Sequence, residues 1–138
     1  MTKKLRNIIA IVAGWFSGSF INIILIQLGH SLLPIEGLDP GNVDSIQKLN
    51  PSLGPEYFIF PFLAHAIGTL IGATITGLIS ANYSLKFSML IGIYFFLGGL
   101  IMAFKIPSPI WFIIADLTIA YIPMAWLGAK ISNNYRKS

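Results

Sequence analysis

Asp116 is the only carboxylate within a long apolar stretch of this chain, and His65 is the histidine set deepest in another. An ionised side chain at the middle of a bilayer costs about 3 kcal/mol even on the lenient insertion scale, so Asp116 requires a partner, water or a proton. His65 is the natural partner by depth. It follows Tyr57 by eight residues, and Asp116 follows Ser108 by eight. If both stretches are helices entered from one membrane face, each side chain sits roughly 12 Å below its starting end. Asn22 and Gln27 reach comparable depth on the first apolar stretch. Tyr121, about one turn beyond Asp116, adds a hydroxyl. Pro123 has no amide hydrogen, so the carbonyl of Ile119 is freed close by. These five side chains, Asp116, His65, Asn22, Gln27 and Tyr121, are the candidate polar site. A carboxylate and an imidazole can clamp two helices together, but ionisable groups inside membranes mark proton or cation pathways, and that reading is preferred.

Other chemistries lack their parts. With no cysteine there is no thiolate nucleophile, redox pair or Cys-ligated metal. His30 and His65 differ in depth by several residues, which disfavours a haem pair, and zinc lacks a third good ligand. The oxygen-rich run Asp39–Asp44 does not have the spacing of a calcium loop. No metal, no cofactor and no catalytic residue are expected, so the chain is not read as an enzyme.

Composition sets the solvent. Of 138 residues only 9 Lys or Arg and 5 Asp or Glu are charged, 55% are hydrophobic, and mean hydropathy is +0.76. A soluble domain carries roughly 25% charged residues, and a single core of this size cannot hide so much apolar surface. This excludes a soluble enzyme and a disordered tail. The net charge of +4 lies at stretch ends, where membrane topology explains it, so no nucleic-acid partner is expected.

Four apolar stretches, about 8–33, 57–80, 85–104 and 109–131, each approach or exceed the roughly 20 residues of a spanning helix. The expectation is an all-α integral membrane protein, a single domain over 1–138, built as a four-transmembrane-helix bundle. Seven of nine basic residues (Lys3, Lys4, Arg6, Lys86, Lys130, Arg136 and Lys137) fall on one side if all four stretches cross. Both termini are therefore expected in the cytoplasm, and the protein in the cell's inner membrane. The apolar run from Ile8 to Leu28 is too long for the core of a secretory leader and no cleavage pattern follows it, so it is read as part of a span. Trp111, Tyr57, Trp126 and Tyr135 suit the interfacial aromatic belts, and Lys105 and Lys130 suit snorkelling positions.

The extracytoplasmic loop, 34–56, is punctuated by Pro and Gly into turns. Within it NVDSIQKL has room for two helical turns, with Val43, Ile46 and Leu49 towards the membrane surface. The loop is read as a connector lying on the bilayer rather than a lid.

At helical spacing the spans carry stripes of small residues: Gly14, Gly18, Asn22 and Gly29; His65, Gly68 or Thr69, Gly72 and Thr76; Ser88, Gly92 and Gly99; Asp116, Ala120 and Pro123. Lipid gives no hydrophobic drive to helix association, so close packing must supply it. Gly14, Gly18, Gly68, Gly72, Gly92 and Gly99 are the expected helix-packing positions, within the bundle or against another copy.

The best-supported expectation is a small inner-membrane transport or channel-type protein, homo-oligomeric or bound to a membrane-protein partner. A structural subunit of a larger membrane complex is the second reading, and an intramembrane enzyme acting on a lipid or quinone the last. Small multidrug transporters share the four-span size but carry their key carboxylate in the first span, where this chain has none.

Overall fold

The computed structural model describes residues 1–39 and 41–138. Its described residues are mostly helical, with no strand among them. Helix α1 runs Lys3–Leu32 and begins where the Thr2 hydroxyl accepts from the amide of Leu5, which satisfies one of the free donors at a helix start. The short α2, Val43–Leu49, is capped the same way by the Asn42 side chain on Asp44 and Ser45. Two 3-10 turns, Asn50–Ser52 and Pro55–Phe58, each with proline in the first turn, lead into α3, Ile59–Ile79. Helix α4 spans Ser84–Lys105, α5 Ile110–Ile119 and α6 Ile122–Lys137. Four segments are long and apolar enough to cross a membrane: Lys3–Leu32, Pro55–Ile79, Ser84–Lys105 and Ile110–Lys137. The chain is a multi-pass membrane protein.

Two helical boundaries differ from expectation. The first helix begins at Lys3 rather than near Ile8, and the last continues to Lys137 rather than ending near Ile131. Helix formation does not stop where the apolar run does, because the flanking lysines and asparagines are helix-compatible. The fourth span is also interrupted at Ala120–Tyr121, between α5 and α6. Pro123 is the cause: it offers no N–H to the carbonyl of Ile119, and its ring crowds the preceding turn.

Helix α3 is the most buried span and packs against α1, α4 and α6. The contacts are made by small residues, and the fully buried apolar side chains are dominated by alanine: Ala10, Ala64, Ala73, Ala120, Ala125 and Ala129. Gly18 and Gly68 face one another so closely that a methyl group on either would lie 2.7–2.8 Å from the other's carbonyl oxygen. Gly72 stands in the same relation to the Gly14 carbonyl, at 2.7 Å. Gly92 meets Ala125 on α6. Hydrogen bonds stitch the same faces, from the Thr76 hydroxyl to the Ala10 carbonyl (3.2 Å) and from Ser88 to the Ala73 carbonyl (2.7 Å). Large apolar side chains instead face outward, among them Phe16, Phe20, Ile23, Leu97, Phe104 and Ile110. That inversion is what lipid as solvent demands.

At the end of the bundle that holds both termini, arginines close the α3–α4 turn. Arg6 donates to the carbonyl of Ile79 (2.6 Å), and Arg136 donates to those of Gly77 (3.0 Å) and Ala81 (3.4 Å) and to the Ser80 hydroxyl (3.3 Å). Asn7 donates to the Asn82 side chain (2.7 Å) and accepts from the Ala81 amide (2.8 Å). The last carbonyls of a helix lack partners and carry partial negative charge, so cationic donors there satisfy both needs. Tyr83, with φ of 51°, turns the chain into α4.

Candidate functional site

At the opposite end the four spans and the α1–α3 loop enclose a cavity of about 490 Å³. Its floor is polar. His65, on the second turn of α3, donates from Nδ1 to Asp116 Oδ1 at 2.8 Å. The Tyr121 hydroxyl donates to Asp116 Oδ2 at 3.0 Å, so both carboxylate oxygens are engaged. The His65 and Tyr121 rings also stack, with centroids 5.6 Å apart. Asp116 is 5% exposed and Tyr121 2%, whereas 27% of the His65 side chain remains accessible. The buried members are locked, and the imidazole faces the cavity.

Each support is local. Gly99 on α4 leaves the space that the Tyr121 ring fills; a methyl group there would lie 2.6 Å from the ring. Phe96 packs edge-on against the same ring. The break between α5 and α6 carries Tyr121 round to the carboxylate.

The expected site residues divide. His65, Asp116 and Tyr121 come together. Asn22 lines the same cavity and packs beside Gly68, one turn from His65. Gln27 does not join them. It is exposed and lines an adjoining depression, which shares Asn22, Ile23, Ile26 and His30 with the cavity. Depth was matched, but five residues along a helix turn a side chain roughly 140° from Asn22. His30, not among the expected site residues, also lines the cavity. Eight residues from Asn22 is roughly 80° of rotation, a spacing that could have flagged it.

Thr69, in the small-residue stripe of α3 but outside the five candidate side chains, is a further residue of the site. It lies four residues after His65, on the same face of α3, and lines the cavity while being 1% exposed. Its hydroxyl is the one buried side-chain polar atom without a hydrogen-bond partner among the described residues. Every other threonine in the spans returns its hydroxyl to the carbonyl four residues earlier: Thr74 to Leu70, Thr76 to Gly72 and Thr118 to Ile114.

The loop is more than a connector. Leu38, Ile46 and Leu53 line the cavity's upper wall, so Ile46 points inward rather than to the membrane surface. Helix α2 is pinned to the α4–α5 turn: Gln47 donates to the Lys105 carbonyl (2.6 Å), and Asn50 to the Pro107 carbonyl (3.2 Å) and Ser108 hydroxyl (2.8 Å). Among the described residues no three His, Asp or Glu side chains converge to hold a metal ion.

Compared with known proteins, the chain matches no family model, no curated protein and no solved structure.

Proposed function

We propose that this chain is a small transport or channel-type protein of the cell's inner membrane, without catalytic chemistry of its own, in which Asp116 is the titrating or cation-binding group. The observation that carries this reading is that the one carboxylate inside a span sits at the floor of a cavity, held by His65 and Tyr121. Intramembrane hydrogen bonds average only about 0.6 kcal/mol, which makes a buried carboxylate a poor device for holding helices together and a good one for a proton or cation. His65 tunes Asp116 by pairing with it, and Asn22 lines the approach. Both termini lie in the cytoplasm, following the basic residues at that end, and the cavity and its loop face the other side. A packed four-helix unit encloses a pocket rather than a through-pore, so the pathway is completed by further copies or by a membrane-protein partner.

The test is flux. Liposomes carrying the purified protein and an internal pH-sensitive dye are given a membrane potential, first with protons alone and then with added monovalent cations. Protein-dependent flux that disappears in Asp116→Asn supports the proposal; flux equal to that of empty liposomes under every condition contradicts it.

A structural role within a larger membrane complex is favoured by one observation: both Asp116 oxygens are already satisfied, as in a helix clamp. It calls for a stoichiometric membrane-protein partner that co-purifies.

A further inference from the structure

We infer that the cavity binds an amphipathic amine, its apolar body among the upper walls and its ammonium head between His65 and Thr69. The inference rests on the functional reading above and names its ligand class. Two polar groups on the cavity floor are left unused. In the tautomer that gives its Nδ1–H to Asp116, the His65 Nε2 is an acceptor, and no described residue donates to it. Thr69 lies one turn along the same face with its hydroxyl unpartnered although nearly wholly buried. A buried hydroxyl without a partner is uncommon, and here three neighbours of its type adopt the bond it forgoes. Both groups accept from a donor head.

Charge selects the head. Among the described residues, Asp116 is the only carboxylate on the cavity wall, and no Lys or Arg lines it. An anion would find no Lys or Arg, whereas an ammonium finds Asp116 behind His65. Phe95 and Phe112 also line the wall, and aromatic rings attract a cation. The remaining wall is apolar, including Ile26, Leu38, Ile46 and Met102. A volume of about 490 Å³ lies within the roughly 300–1,000 Å³ range of small-molecule sites. His30 and Tyr57 are the remaining titratable groups on the wall, at the end of α1 and the start of the second span, towards the loop rather than beside Thr69.

The probes are phenylbutylamine, phenylbutanol and phenylbutanoate, which share a body and differ in the head. Each is titrated calorimetrically into the whole protein in phosphatidylcholine nanodiscs, with empty nanodiscs as the partition blank. The amine is expected to bind saturably and tightest, the alcohol more weakly and the carboxylate not at all. Thr69→Val is expected to weaken amine binding about tenfold with an unchanged unfolding temperature, and Thr69→Ser to restore it. Gly98 lines the cavity with open space beyond its Cα, so Gly98→Phe is expected to fill it and abolish binding. Binding of the alcohol or carboxylate as tight as that of the amine, no saturable binding, or full affinity in a folded Thr69→Val protein would overturn the inference. Amine binding without liposome flux would leave it standing and remove the transport role; flux without amine binding would do the reverse.

Discussion

Tyr121 donates its hydroxyl to Asp116 from five residues further along the same span, at 3.0 Å. In an unbroken α-helix two such residues point roughly 140° apart and cannot meet in this way. The contact exists because the span is interrupted at Ala120–Tyr121, and the interruption exists because of Pro123. A helix defect is thereby used to close a polar constellation.

The Tyr121 ring depends in turn on a glycine. Gly99→Ala places a methyl group against that ring, and overpacking of this kind costs about 1–3 kcal/mol. Thermal unfolding in detergent should show that loss for Gly99→Ala and none for Gly98→Ala, where nothing lies within 4 Å of the added carbon. Equal effects at the two adjacent glycines would count against the packing described.

The α1–α3 contact admits a similar comparison. Gly68→Ala drives a methyl group to 2.8 Å from a backbone oxygen of Gly18, and backbone cannot swing aside. A destabilisation of about 1–3 kcal/mol is expected, with the two helices forced apart. Gly37→Ala is a poor control because its φ of 79° adds backbone strain; Gly41→Ala, on the loop, serves instead.

Much of this was legible in the sequence. Helix number followed from apolar length, and the packing stripes from glycine spacing, because both are one-dimensional patterns that lipid enforces. Depth matching brought His65 to Asp116, since rise per residue is nearly constant. Azimuth was not legible: Gln27 shares the depth of the site but does not line it. The unpartnered hydroxyl of Thr69 and the place of Ile46 on the cavity wall arise from the tertiary arrangement, and no local spacing encodes them.

Arg136 tests the other end of the bundle. It supplies hydrogen bonds to the carbonyls of Gly77 and Ala81 and to Ser80. Arg136→Ala should lower stability by about 1–3 kcal/mol through unpaired helix-end carbonyls, and Arg136→Lys should recover only part, since an ammonium lacks the planar fork. Thermal unfolding reads both. A fully rescued lysine variant would mean that charge alone matters there.

Asn50 holds the loop over the cavity. Asn50→Ala removes its bonds to Pro107 and Ser108, and the loop should then admit amide exchange across 43–50 faster by about fivefold, on a typical hydrogen-bond contribution near 1 kcal/mol. Hydrogen–deuterium exchange by mass spectrometry measures this directly. Unchanged protection would show that the pinning is redundant.

Asp116 itself gives the most direct test. An asparagine there still offers an oxygen to Tyr121 and fits the same space, so the fold has little to lose from Asp116→Asn, and a carboxylate kept for function is kept at some cost to stability. The measurement is thermal unfolding of the wild type, Asp116→Asn, His65→Gln and the double variant, with liposome flux from the same preparations. A transport role predicts that Asp116→Asn is as stable as the wild type or more so, and that its flux is lost. Destabilised single variants with more than about 0.5 kcal/mol of coupling between them, and flux preserved in Asp116→Asn, would make the pair a helix clamp and contradict the role assigned to it.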